Sequence, residues 1–296
     1  MSVGAIVGYD GSPGAGAAID AGALLFPGAR SWITHLWAPP FASDEVRARL
    51  RPLAHDVTEL IEMVEREGER EAQRLVAMGV TLARAAGWDA EPLVKQTWGG
   101  QGLRIAQAAE EVNADVVLVG SRGLGGAQAV LGSVSDVVVH YSARPVVVVP
   151  YPMLAAEYAA LPDGPVAVGW DGSAGAKTAL EAATLLFPER TLLVITVDGD
   201  TDVSPLPADL RGQGRREVVD LTVERGRGFQ AHATSDALIS AAADHNAAVV
   251  VVGSRGRPAA REILLGSVAM GVLHRSHRPV MVVPGEWKVP PHCQSS

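Results

Sequence analysis

The sequence predicts an α/β protein made of two copies of one parallel-sheet domain, and three observations predict it. Short unbroken apolar runs, such as 116–119 and 146–149, are what strands covered on both faces look like. Between such runs lie segments at helix spacing: Val134, Val137, Val138 and Tyr141 follow i, i+3, i+4, i+7. The third observation is a repeat. Gly120-Ser-Arg-Gly123 returns as Gly253-Ser-Arg-Gly256, Gly132-Ser-Val134 as Gly266-Ser-Val268, and His140-x-Ser142-x-Arg144-Pro145 as His274-x-Ser276-x-Arg278-Pro279. A repeat this long marks a duplicated domain.

In the first copy, residues 3–9 form an apolar strand ending in Asp10-Gly11-Ser12. Ser12 then Pro13 reads as a helix start, a hydroxyl cap followed by proline where its missing N–H is harmless. Ala15, Ile19, Gly22, Ala23 and Phe26 make the apolar side of that helix, and Pro27-Gly28 stops it. A second strand spans 31–37. Residues 44–86 interleave glutamates with Leu60, Ile61, Met63 and Val64, the pattern of one or two solvated amphipathic helices covering a sheet. A third strand is expected at 91–98, a helix at 102–113, a strand at 116–119, the glycine loop, a helix at 133–141 and a last strand at 146–149. This alternation implies five parallel strands joined by right-handed crossovers.

Residues 151–163 read as a linker, and the pattern restarts with a strand at 165–170 and Asp171-Gly172-Ser173. Leu180, Ala183, Thr184 and Phe187 mark a helix ended by Pro188; strands follow at 191–197 and 218–223, and a helix at 235–244. Asp10 and Asp171 lie 161 apart, but Gly132 and Gly266 only 134 apart, so 27 residues are missing from the second copy. The lost piece is the long charged helix, with 206–211 at most a stub. The expected domains are 1–150 and 164–285, with a loosely held tail at 286–296.

Composition narrows the function classes. Of 296 residues, 48% are hydrophobic and 20% charged, an ordinary globular balance, and the length suits two domains. A formal charge of −8 argues against nucleic-acid and anionic-membrane partners, which demand a basic face. No apolar run is long enough to span a bilayer, and no signal peptide is recognised at the start. The single cysteine, Cys293, fits a reducing compartment, so a cytoplasmic protein is expected.

Several motifs are decoys. Gly172-Ser-Ala-Gly-Ala-Lys177-Thr178 lacks the two-glycine spacing of a P-loop. Gly226-x-Gly228-x-x-Ala231 has the dinucleotide-binding spacing, but it follows the third strand and has no acidic ribose partner downstream. His274-x-x-His277 has no third ligand nearby, so no metal site is expected. There is no G-x-S-x-G, no HExxH and no evident acid/base pair, so no catalytic residue is assigned.

The loop Gly253-x-x-Gly256-x9-Gly266-Ser267 is different. With the Asp-Gly-Ser turn after strand one, it resembles the nucleotide-binding type of universal stress protein, and the resemblance covers both copies nearly end to end. It implies two tandem flavodoxin-like (adenine nucleotide α-hydrolase-like) domains, each an open five-stranded parallel sheet with helices on both faces. It also implies an adenine nucleotide, ATP with or without Mg2+, as ligand of a stress-response regulator. By the resemblance the contacts are Asp10, Leu36, Gly120, Gly123, Gly132, Ser133 and Val134 in the first copy, and Asp171, Thr196, Gly253, Gly256, Gly266, Ser267 and Val268 in the second. The glycines are expected to admit phosphate to bare backbone and to adopt positive φ, while Ser267 and the N–H groups opening the last helix donate to it. The first copy departs by one residue, with eight rather than nine between Gly123 and Gly132. In the family the last strands pair across a dimer axis. Here the duplication implies an intramolecular pseudo-dimer, with a further homodimer as an extension. Two other classes stay open: a ligand-free interaction module, and a slow hydrolase of adenine nucleotides.

Overall fold

The computed structural model describes residues 2–38, 48–121, 131–198, 206, 217–226, 230–254 and 265–289. The first copy runs β1 (Gly4–Gly8), α1 (Pro13–Leu25), β2 (Arg30–Trp37), α2 (Val57–Ala85), β3 (Asp89–Gln96), α3 (Gln101–Glu111), β4 (Val116–Gly120), α4 (Ser133–Tyr141) and β5 (Val146–Val149). A short helix, α5 (Ala155–Ala160), follows. The second copy runs β6 (Val166–Trp170), α6 (Ala174–Leu186), β7 (Leu192–Asp198), β8 (Val218–Glu224), α7 (Gln230–Asp244), β9 (Val249–Gly253), α8 (Ser267–Arg275) and β10 (Val280–Val283).

All ten strands form one sheet in the order β3-β2-β1-β4-β5-β10-β9-β6-β7-β8. Neighbours within each copy are parallel, and the copies join through an antiparallel β5–β10 pair, with Val147 beside Met281. This two-fold relation puts equivalent helices on the same face. One core packs α1, α2 and α6 against the sheet through Ile19, Val76, Val80 and Leu180. The other packs α3, α4, α7 and α8 through Ile105, Val138, Leu238 and Val272. At the seam the rings of Phe26 and Phe187 stack at 5.0 Å, and Arg190 Nη2 donates to the Leu24 carbonyl at 2.9 Å.

α2 starts by satisfying its own orphan N–H groups. Asp56 accepts from the Glu59 N–H at 2.8 Å, and the Glu59 carboxylate accepts from the His55 N–H at 2.7 Å. Its inner side is small where it must come close: a Cβ on Gly79 would stand 2.7 Å from Ile33 Cγ2. The helix is single over 57–85, with a separate 3₁₀ turn at Arg51–Leu53 before it.

Four sequence expectations change. β3 ends at Gln96 rather than 98, because Thr97 turns back on Gly99 and Trp98 stands exposed. α7 begins at Gln230 rather than at 235. The linker is not plain coil. It holds α5, and Leu161 is fully buried. The tail is not loosely held up to its described end, since Trp287 is 7% exposed and joins the first core. The expected stub at 206–211 lies outside the described residues apart from Leu206, which is buried. β8 records the shorter second copy in its outer face. Asp220, Thr222 and Glu224 are exposed, whereas the matching face of β3 meets α2.

Candidate functional site

In each copy the strand order reverses beside the first strand, between β1 and β4 and between β6 and β9. Open α/β sheets hold ligands outside the carboxyl ends of strands at such a point. Three pieces of chain converge there.

The first is the Asp-Gly-Ser turn. Asp10 Oδ1 accepts from the Ser12 N–H at 2.9 Å, and Ser12 Oγ caps α1 by accepting from the Ala15 N–H at 3.2 Å. Asp171 and Ser173 repeat this at 2.9 and 3.1 Å. The intervening Gly11 and Gly172 have φ of 78° and 74°, the left-handed region that side chains avoid. Both aspartates therefore already serve a turn.

The second piece is the end of β4 or β9. A Cβ on Gly120 would lie 2.5 Å from the Gly14 carbonyl oxygen, and one on Gly253 would lie 2.6 Å from that of Gly175. These glycines are required by the approach of α1 and α6, whatever binds above them. Their φ is not positive, nor is that of Gly132 (−68°) or Gly266 (−62°); among the described residues of the site, the left-handed glycines are Gly11 and Gly172.

The third piece is the root of the glycine loop. The Gly132 N–H donates to the Ser121 carbonyl at 2.7 Å, and the Gly266 N–H to that of Ser254 at 2.8 Å. The loop thus leaves and returns at one hydrogen bond in both copies. Ser121 N–H donates to Val149, Ser254 N–H to Val283, and each serine Oγ accepts an N–H from the segment after the last strand, Tyr151 or Gly285, at 3.1 Å. The predicted Gly123 and Gly256 lie outside the described residues.

Beyond the root, α4 and α8 begin with Gly132 and Gly266 as N-caps that offer no side-chain acceptor. Ser133 and Ser267 are exposed, and Val134 and Val268 pack half-buried on the second core. An uncapped helix start with exposed hydroxyls has N–H donors to spare, and its dipole favours an anion. The two starts differ in charge: α4 carries Asp136 in its first turn, and α8 has no acidic residue there.

The strand-two candidates do not occupy one position. Gly8 lies beside Thr34, and Gly169 beside Ile195. Superposing these pairs puts Thr196 at the level of His35, and Leu36 at that of Val197. Choosing Leu36 with Thr196 is thus a one-residue register slip, which in a strand swaps the face. Leu36 is buried in the second core, so only its backbone is available to a ligand. His35 went unnoticed in the sequence; its Nδ1 donates to the Tyr9 carbonyl at 2.8 Å, beside Asp10. Ser121 and Ser254 also went unnoticed, although the repeated Gly-Ser-Arg-Gly carried the signal. No group of three or more metal-ligating side chains occurs among the described residues.

The sequence profile of the universal stress protein family matches residues 5–150 and again 164–284. A universal stress protein of Mycobacterium tuberculosis (strain H37Rv) is 31% identical over 236 residues, covering 72% of this chain and 77% of the relative. One of Mycolicibacterium smegmatis is 32% identical over 186 residues, covering 58% of this chain and 62% of the relative. The crystal structure of a universal stress protein from Archaeoglobus fulgidus shares the fold, with a TM-score of 0.69 at 24% identity over 96% of this chain and 99% of that one.

Proposed function

The chain belongs to the universal stress protein family as a tandem of its domains, and on that premise we propose that it is a regulatory protein that binds an adenine nucleotide, ATP foremost, in one or both copies. The observation that carries the reading is the uncapped start of α4 and α8, set directly after a loop pinched shut at its root. Phosphate would meet the hydroxyl of Ser133 and the N–H groups of Ser133 and Val134, or the hydroxyl of Ser267 and the N–H groups of Ser267 and Val268. Asp10 or Asp171 and the backbone at Leu36 or Val197 would face the nucleoside. These residues suit an anion with an apolar ring; Mg2+ would accompany ATP on its phosphates, since the described residues supply no metal cluster of their own.

The second copy is the stronger anion site, because Asp136 places a carboxylate in the first turn of α4 and α8 has none. Binding would favour one arrangement of the loops and so alter contacts with a partner. Turnover would be slow, as no described side chain is set to activate water. A cytoplasmic location, the domain limits 1–150 and 164–285 and a homodimer of the whole chain belong to the same proposal; no helix among the described residues is long and apolar enough to cross a membrane.

A ligand-free interaction module is the second reading. It is favoured by the finding that packing accounts for Gly120 and Gly253 and turn formation for both aspartates. Non-denaturing mass spectrometry of the purified chain, followed by calorimetric titration with ATP and AMP, separates the two. Bound nucleotide or a saturable heat supports the proposal; an empty mass and flat titrations support the module. Steady release of phosphate would favour a hydrolase.

A further inference from the structure

We propose that residues 151–161 form a strap that couples the root of the first site, at Ser121, to the second copy, docking more firmly when nucleotide fills that site; this rests on the nucleotide reading above. The strap is tied at both ends. At its start the Tyr151 N–H donates to Ser121 Oγ, on the residue whose carbonyl closes the loop root. At its far end Leu161 is fully buried, and the Gly164 N–H bonds to Ala160. Between them Glu157 reaches under the second copy to Arg278, at the foot of β10.

That middle contact is a weak one. Glu157 Oε1 stands 3.9 Å from Arg278 Nη2, and Oε2 is buried with no hydrogen-bond partner. Arg278 keeps a better bond elsewhere, from Nη1 to the Ala247 carbonyl at 2.9 Å, and its burial depresses its pKa against the raising effect of Glu157. α5 is only six residues long, too short to hold itself together, and it leaves Leu154 and Tyr158 exposed. A short helix held by an under-satisfied buried pair is drawn from the low end of local stability. A ligand that orders the root at Ser121 also fixes the Tyr151 end, so docking and binding favour each other reciprocally. Among the described residues the second copy has no such strap. Its root hydroxyl on Ser254 takes the Gly285 N–H, and the chain then buries Trp287 instead.

Hydrogen–deuterium exchange on the full chain, with and without ATP, tests this in the wild type, Glu157→Gln and Ser121→Ala. ATP is expected to slow exchange at 155–161 by about fivefold or more, together with slowing at 131–141. Glu157→Gln is expected to speed exchange at 155–161 without ligand and to weaken ATP binding at the first site. In Ser121→Ala, ATP should still protect 131–141 but no longer 155–161. Protection of 131–141 with no change at 155–161 in the wild type overturns the strap alone. Protection confined to 265–275 overturns it as well, by leaving the first site empty. Flat titrations with no exchange change anywhere overturn the nucleotide reading, and the strap with it.

Discussion

Gly14 and Gly120 meet backbone to backbone: the space for a Cβ on Gly120 is taken by the Gly14 carbonyl, 2.5 Å away. Gly175 and Gly253 make the same contact in the second copy. The contact sets how near the first helix of each copy comes to the mouth of its site. Backbone cannot rotate aside as a side chain can. Gly120→Ala should therefore destabilise the chain by about 2–3 kcal/mol through overpacking, read as a lowered urea midpoint. An unchanged midpoint would mean that α1 is free to shift outward.

Gly266→Ala should behave in the opposite way. At φ −62° an alanine is unstrained, so the urea midpoint should fall only slightly, by the poorer N-cap that alanine makes. Affinity for ATP at the second copy should fall by more than about tenfold, worth ~1.4 kcal/mol, as the new methyl crowds the phosphate. Calorimetry showing equal affinity would leave the cradle at α8 without support.

Phe187→Ala should open the seam between copies. It removes a ring less than 2% exposed, stacked on Phe26 and lying under the Arg190 guanidinium. A loss of about 3–5 kcal/mol is expected, with faster proteolysis between the copies. Loss of stability without added cleavage would show the β5–β10 pair holding by itself.

Thr34→Val should stabilise. Thr34 Oγ1 is buried on β2 with no hydrogen-bond partner, and valine keeps the shape while removing the hydroxyl. A gain of about 1 kcal/mol is expected, visible as a raised Tm. A lowered Tm would indicate an ordered water at that hydroxyl.

Glu111 gives a pH signature. Arg104 at 2.6 Å and Lys95 at 2.8 Å hold its carboxyl well below the ordinary value, at about 2. A depressed carboxylate stabilises fully above its unfolded value, near 4.5, and its contribution is lost as pH falls towards 2. The side chain is 44% exposed, so screening keeps the effect under about 1 kcal/mol. Glu111→Gln should thus cost a little at pH 7 and less at pH 3 or in high salt, by urea denaturation. An equal cost at both pH values would assign the effect to packing.

Much of this was legible in the residues. The repeat announced two copies, eight of the ten strands were read directly with the repeat implying β9 and β10, and the loop pointed to a candidate site at the carboxyl ends. The misses have physical reasons. α5 is too short for a period to show, and Trp287 is one residue in a polar tail. The Leu36 and Thr196 slip arose because a strand's letters do not fix its register; the neighbouring strand does. The glycines carried a double meaning that spelling cannot separate, since a loop that admits phosphate and a strand end that admits a helix both ask for a missing side chain.

The antiparallel joint of β5 and β10 has a consequence for inheritance. A symmetric homodimer must suffer every substitution twice, once on each side of its axis. Fusion into one chain lifts that constraint, and the two copies have already used the freedom. At the crossing of the last two helices, the first copy keeps glycine on one helix, Gly102 against Val137, and the second keeps it on the other, Gly271 against Ser235. Each half is at liberty to specialise while the other preserves the common frame.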